Sequence, residues 1–245
     1  MNATNNTHLI IDQGNTLTKC ALFVGREVQI MHTLADDQIG EFIESLPASI
    51  EVYISSVRSS FPFSFPSSFH VSYLDRNSKI PIAIDYETPE TLGFDRIANA
   101  CGLVMGHGKS SGLVIDCGTC ITSTLITDQT LRGGSISPGL SMRLNALHQF
   151  TGRLPLIHFE NQQSIILGKN TKESILAGTV GGCIREIEGI IADYCSHYGP
   201  LDVILTGGDG PYLVSQLKSP IFADSMLTLK GINEIYLHNR SEKNT

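Results

Sequence analysis

The apolar positions of this chain fall into short runs that recur in two series. Leu9-Ile-Ile leads into Asp12, and a second apolar run follows Leu17. Their length and the turn residues between them predict strands over 8–12 and 17–24, joined by a tight glycine turn. Val28–Thr33 predicts a third strand. Ile39, Phe42, Ile43 and Leu46, spaced three and four apart, predict a helix over 36–46. Glu51–Ser56 and Ile80–Ile84 read as further strands. Between them Arg58–Phe69 is rich in Ser, Phe and Pro, and Pro66 opposes regular structure at its centre. It reads as a surface connection with its phenylalanines tucked beneath. After Ser111 the order is partly replayed. Strands are predicted over Gly112–Asp116, Ile121–Thr127 and Thr130–Ile136, then a helix over Leu140–Phe150, a longer helix over Lys172–Tyr198 and a buried strand over Leu201–Thr206.

The replay carries a motif. Leu9-Ile-Ile-Asp12-Gln-Gly14-Asn-Thr16-Leu-Thr18 returns as Leu113-Val-Ile-Asp116-Cys-Gly118-Thr119-Cys-Ile-Thr122. A duplicated strand–turn–strand with a carboxylate implies two half-domains, divided in the glycine-rich stretch 106–112 into residues 1–110 and 111–245. Glycine lets backbone amides approach an anion without a Cβ in the way, and successive amides can form an anion-binding nest. One Asp-x-Gly turn is explained by an Asp stabilising its own turn. Two copies point to a paired site for nucleotide phosphates and a divalent cation. Lys19 either reaches phosphate or is a solvated strand lysine.

Two further segments carry candidate chemistry. Gly93-Phe94-Asp95-Arg96 precedes a helical run with Ile97, Cys101, Val104 and Met105 at helix spacing. By itself Asp95 reads as an N-cap, Arg96 as a surface helix residue and Tyr86 as a core aromatic. Thr171, after Gly168-Lys-Asn, reads as the N-cap of the long helix. Inside that helix Gly178, Gly181 and Gly182 each cost about 1 kcal/mol against Ala, which suggests close packing against a backbone or a nucleotide.

Composition narrows the classes. The 245 residues carry 17 Lys+Arg against 24 Asp+Glu, a net charge of −7. No basic cluster appears, which argues against nucleic acid. No apolar run has the length of a membrane span, and the polar start of the chain lacks the pattern of a signal peptide; the expected compartment is the cytoplasm. The six cysteines mostly lie in apolar runs, where Cys behaves as a small hydrophobe, so Cys117-x-x-Cys120 reads as core rather than metal chemistry. The eight histidines show no ligand spacing, and no Ser or Cys pairs with His and an acid as a nucleophile.

Six motifs, in order, resemble the type III pantothenate kinases of the acetate and sugar kinase, Hsp70 and actin superfamily. They are DQGNT at 12–16, Tyr86 with LGFDR at 92–96, DCGT at 116–119, GGSISPG at 133–139, GKNT at 168–171 and LTGG at 205–208, and the likeness runs from residue 8 to about 235. The resemblance implies an α/β fold of two ribonuclease H-like domains (the actin-like ATPase fold) flanking a nucleotide cleft. It implies ATP-dependent phosphorylation of pantothenate, the first step towards coenzyme A. Asp12, Gln13, Gly14, Asn15, Thr16, Leu17, Thr18 and Lys19 would bind ATP phosphates, with Gly118 and Thr119 assisting. Asp12 would hold Mg²⁺ through water, and Asp116 a monovalent cation, K⁺ or NH₄⁺. Asp95 would be the catalytic base. Tyr86, Gly93, Phe94, Asp95 and Arg96 would contact pantothenate, joined by Thr171 from the partner of a homodimer. The alternatives are another phosphotransferase of the superfamily or a non-catalytic ATP-binding regulator.

Overall fold

The structure, a computed structural model, describes residues 7–47, 49–58, 60–160 and 166–243. They form two units: the described parts of Met1–Gly108 and Met226–Thr245, and Lys109–Ser225. The break at 108/109 falls in the glycine-rich stretch. The C-terminal segment, which the sequence reading placed in the second half, belongs to the first unit. The reason is local. Helix α6 (Leu227–Lys243) lies against helix α2 (Phe94–Cys101), where a Cβ on Gly231 would stand 1.7 Å from the carbonyl oxygen of Ala98 and one on Gly102 2.6 Å from that of Leu227.

The first unit is built on strands β1 (Thr7–Gln13), β2 (Thr18–Val24), β3 (Glu27–Leu34), β4 (Glu51–Ser56) and β5 (His70–Tyr73), ordered β3-β2-β1-β4-β5. β1 pairs antiparallel with β2 and parallel with β4, so its residues Leu9, Ile10 and Ile11 are fully buried. One face of the sheet (Leu9, Ile11, Cys20, Leu22, Val52 and Ile54) meets Ile39 and Ile43 of helix α1 (Ile39–Glu44). The expected helix over 36–46 is thus shorter and opens with a 3₁₀ turn at Asp36–Gln38. Phe61, Phe63 and Phe65 pack against the same core, and a Cβ on Gly40 would lie 3.2 Å from the Phe63 ring. The expected strand at 80–84 shrinks to β6 (Ala83–Ile84).

The second unit repeats this plan. Its strands are β7 (Gly112–Cys117), β8 (Cys120–Thr127), β9 (Thr130–Pro138), β10 (Asp202–Thr206) and β11 (Phe222–Ala223). β7 pairs antiparallel with β8 and parallel with β10, β8 antiparallel with β9, and β10 parallel with β11. The order β9-β8-β7-β10-β11 therefore matches β3-β2-β1-β4-β5 in sequence and sense. The β8–β9 turn places Asp128 and Gln129 at φ 50° and 58°, the doubly left-handed geometry that suits a two-residue hairpin. Helices α3 (Leu140–Gln149) and α4 (Thr171–Tyr198) bury Leu140, Leu144, Leu176, Val180, Cys183 and Ile187 against Leu113, Ile115 and Cys117. A short α5 (Gly210–Gln216) follows β10.

Gly178 and Gly182 of α4 are not explained by tight packing. A Cβ on Gly178 or Gly182 would meet nothing within 4 Å in this chain. Gly178 is exposed in mid-helix, so Gly178→Ala is expected to stabilise the monomeric unit by about 1 kcal/mol through helix propensity alone. Denaturant unfolding of the two proteins checks it; a lower midpoint for the variant refutes it.

Candidate functional site

In the first unit β1 and β2 deliver the acidic hairpin. Asp12 lies opposite Lys19 on β2 and Ser55 on β4, while Gln13 lies opposite Thr18. Strand alternation puts Asp12 on one face and Gln13 with Thr18 on the other. The loop Gly14–Leu17 is closed by the Gly14 amide donating to the Leu17 carbonyl at 3.1 Å. A Cβ on Gly14 would lie only 3.0 Å from that oxygen. Asn15, Thr16 and Leu17 are exposed.

Two residues expected among the phosphate ligands point inwards instead. Gln13 is fully buried; its Oε1 accepts from Ser56 Oγ at 2.5 Å and its Nε2 donates to the Ser60 carbonyl at 3.3 Å. Its side chain ties the hairpin to the end of β4. Thr18 is also fully buried, with a hydroxyl that has no partner.

The same unit carries the second constellation. A 3₁₀ turn at Pro89–Thr91 leads to Gly93, which is the N-cap of α2 with φ −62° and ψ 140°; no side chain caps it. Asp95 is therefore the second residue of the helix and not its cap, which corrects the simplest structural account. Its Oδ1 occupies the space where a Cβ on Gly93 would sit, 2.2 Å away. A carboxylate in the first turn is favoured by the helix dipole. Arg96 is 3% exposed and so is not a surface residue; its guanidinium lies 5.6 Å from the centre of the Tyr86 ring. Tyr86, Gly93, Asp95 and Arg96 are thus gathered at one helix end. Arg76, which the sequence did not single out, braces this end. It donates to the carbonyls of Pro89 at 3.1 Å and Leu92 at 3.0 Å, and lies 4.4 Å over the Phe94 ring.

In the second unit Asp116 lies in register between Thr122 on β8 and Thr206 on β10. The hydroxyls of both threonines are buried and without partners. A row of carboxylate and hydroxyl oxygens suits a hard cation. The following Gly207, at φ +90°, lies close enough that a Cβ would meet Asp116 Oδ1 at 2.6 Å and the Cys117 carbonyl at 2.4 Å. The Gly118 amide donates to the Cys120 carbonyl at 3.0 Å, and this loop is one residue tighter than the first. Gly139 braces it from behind: its amide donates to the Thr119 carbonyl at 3.0 Å, and a Cβ would lie 2.4 Å from the Gly118 oxygen. Thr119 itself is exposed.

Asp209, outside the sequence motifs, joins this site. Its amide donates to the Cys117 carbonyl at 2.9 Å, and burial raises its carboxyl above the usual range. A carboxylate directly after Thr206-Gly-Gly208 was the available signal. Cys117 is fully buried. Burial first, and then the charge of Asp116, push its thiol up, the reverse of what a reactive cysteine needs. Among the described residues no three His, Cys, Asp or Glu side chains cluster as a metal site.

Thr171 opens α4, but the cap is Asn170, whose Oδ1 accepts from the Glu173 amide at 2.9 Å. Glu173 in turn accepts from the Lys169 amide at 2.7 Å. The expected capping role of Thr171 passes to its neighbour, and Thr171 stands exposed at the helix start. No described helix is long and apolar enough to cross a membrane.

Comparison with known proteins places the chain in a family. A family model described as type III pantothenate kinase matches residues 8–193. A type III pantothenate kinase of Cytophaga hutchinsonii is 39% identical over 236 residues, covering 95% of this chain and 99% of that protein. One of Bacteroides fragilis is 41% identical over 243 residues, covering 95% and 98%. Among solved structures, a Campylobacter jejuni protein described as a conserved Baf family transcriptional activator aligns at TM-score 0.65 and 22% identity, covering 95% of this chain and 99% of that one. Component A of (R)-2-hydroxyglutaryl-CoA dehydratase from Acidaminococcus fermentans aligns at TM-score 0.53 and 14% identity, covering 98% and 99%. At such identities these two speak for the fold, which is the actin-like ATPase fold. The match over most of the chain, with the motif residues in place, shows that the chain belongs to the type III pantothenate kinases.

Proposed function

We propose that this protein transfers the γ-phosphoryl group of ATP directly to the primary hydroxyl of pantothenate, giving 4′-phosphopantothenate and ADP, the first step of coenzyme A synthesis. The observation that carries the reading is the cluster at the start of α2, where Asp95, Arg96 and Tyr86 meet in a chain of this family. Phosphoryl transfer asks mainly for alignment and charge neutralisation. Asp95 accepts the proton of the attacking hydroxyl and orients it. Arg96 presents a rigid fork of donors to the substrate's carboxylate or carbonyl oxygens; Tyr86 beside it and Phe94 under Arg76 contact the substrate in this reading. The amides of the exposed Asn15, Thr16 and Leu17 hold phosphate oxygens, with Lys19 beside them. Asp12 would hold Mg²⁺ through water; Asp116, in register with Thr122 and Thr206, would hold K⁺ or NH₄⁺; Thr119 would contact ATP. These ions neutralise phosphate charge when bound.

The protein acts as a cytoplasmic homodimer in this reading, with Thr171 of each protomer reaching the pantothenate site of the other. Its exposure, and the transfer of capping to Asn170, support that role. The deciding experiment incubates the purified chain with Mg·ATP and pantothenate and measures 4′-phosphopantothenate, with and without K⁺. Product formation that depends on both is expected. Phosphorylation of a sugar, acetate or polyphosphate in preference to pantothenate overturns the assignment.

A further inference from the structure

Arg58, just after β4, reaches into the loop of the first hairpin. Its Nε donates to the Gly14 carbonyl at 2.7 Å and its Nη2 to the Asn15 carbonyl at 2.9 Å. The remaining arm, Nη1, donates to Asp36 Oδ2 at 2.7 Å. The side chain is 22% exposed against 47% for Asp36. The base of Arg58 is tied down as well. Its amide donates to Ser56 Oγ at 2.9 Å, and that hydroxyl donates to the buried Gln13 Oε1 at 2.5 Å. One guanidinium therefore holds two successive carbonyls of the turn, with an acid fixing its third arm.

The consequence follows from peptide geometry. In a planar trans peptide the C=O and the next residue's N–H point in opposite directions. With the Gly14 and Asn15 carbonyls turned onto Arg58, the amides of Asn15 and Thr16 are directed away from it. Two neighbouring N–H groups then face the same exposed side of the loop, and two carbonyl dipoles that would repel an anion are withdrawn. A planar guanidinium can hold both carbonyls in fixed relation; an ammonium acts as a point charge on a flexible stem.

We propose that Arg58, steadied by Asp36, is the positioning residue of the nucleotide turn: it locks the Gly14 and Asn15 peptide planes so that the Asn15 and Thr16 amides meet the phosphate oxygens of ATP. This rests on the reading that the first hairpin binds ATP phosphates. Arg58 acts through the turn and does not touch the nucleotide.

The test compares Arg58→Ala, Arg58→Lys and Asp12→Asn in the full-length protein. It measures KM for ATP and for pantothenate, kcat, and Mg·ATP affinity by calorimetry. Removing an outer partner that orients a metal ligand typically costs about 10–100-fold, and the same orienting role sets the scale at this turn. Arg58→Ala is expected to weaken ATP by that factor in both KM and affinity, with KM for pantothenate unchanged. Arg58→Lys keeps the charge but not the fork and is expected to resemble Arg58→Ala. A wild-type Arg58→Lys would show that charge suffices and overturn the proposal. A fall in kcat with both KM values intact would mean only lost active protein, and would overturn it too. Asp12→Asn separates the underlying reading. If it binds and turns over ATP normally, the hairpin is not the phosphate site. If it fails while both Arg58 variants behave normally, the hairpin reading stands and the role of Arg58 falls.

Discussion

Asp95→Asn is expected to lower kcat for pantothenate phosphorylation by about 10²–10⁴-fold, the usual contribution of a positioned general base, while the protein remains folded. Asparagine keeps the shape of the side chain and loses its ability to take a proton. The stability change is expected to be small because Asp95 does not cap its helix; Gly93 holds that position and no side chain caps it. What is lost is a first-turn charge facing the helix dipole, typically 0.3–1 kcal/mol. Gly93→Ala provides a second, independent arm. Its new Cβ would lie 2.2 Å from Asp95 Oδ1, so the carboxylate must move while its chemistry stays intact. A displacement near 1 Å can cost about 10²-fold in rate, and the flexible side chain can yield at little cost in stability. ADP release and thermal melting of both variants check the pair. Near-wild-type turnover in Asp95→Asn sinks the role of the base. Unimpaired Gly93→Ala shows that the carboxylate need not sit where the structure places it.

The parts legible in the sequence are those where one physical signal dominates. β1, β4 and β7 are buried on both faces and read as apolar runs ended by a turn. The repeated Asp-x-Gly exposed the duplicated hairpins, and the replayed order of the two sheets follows from it. The parts that stayed hidden depend on partners distant in the chain. β5 has only four residues, none of them buried, and is a strand because β4 lies beside it. α6 buries polar residues that read as surface: Asn233 Oδ1 accepts from His8 Nε2 at 2.5 Å, Glu234 pairs with Arg26 at 2.7 Å, and Thr228 donates to Asn99 at 2.8 Å. Without those partners in view its apolar periodicity looks broken. The inward turn of Gln13 has the same origin, since Ser56 and Ser60 decide it. The local sequence shows that helices begin near residues 94 and 171, but not that the caps are Gly93, two positions before Asp95, and Asn170, one before Thr171. Arg58 carried no motif at all; only the fold reveals that its fork meets two adjacent carbonyls.

Gly231→Ala is expected to destabilise the protein by about 3 kcal/mol, the upper end of the usual cost of overpacking, although it places the best helix former in the middle of α6. The sign is decided by contact rather than propensity. Propensity favours Ala by about 1 kcal/mol, the gain expected at Gly178, where a Cβ meets nothing within 4 Å. At Gly231 the same atom would stand 1.7 Å from the Ala98 oxygen and 2.5 Å from its carbon. That oxygen belongs to helix backbone and already accepts from the Gly102 amide, so no rotamer change can make room; α2 and α6 must separate. Separation strains the buried Thr228–Asn99 hydrogen bond and shifts the helix that carries Asp95. At 2–4 °C per kcal/mol for a chain of this size, the melting temperature should fall by roughly 6–12 °C, and kcat should fall with it at temperatures where the variant is still folded. An unchanged melting temperature would mean that the two helices do not approach through these glycines, and the assignment of α6 to the first unit would lose its physical basis.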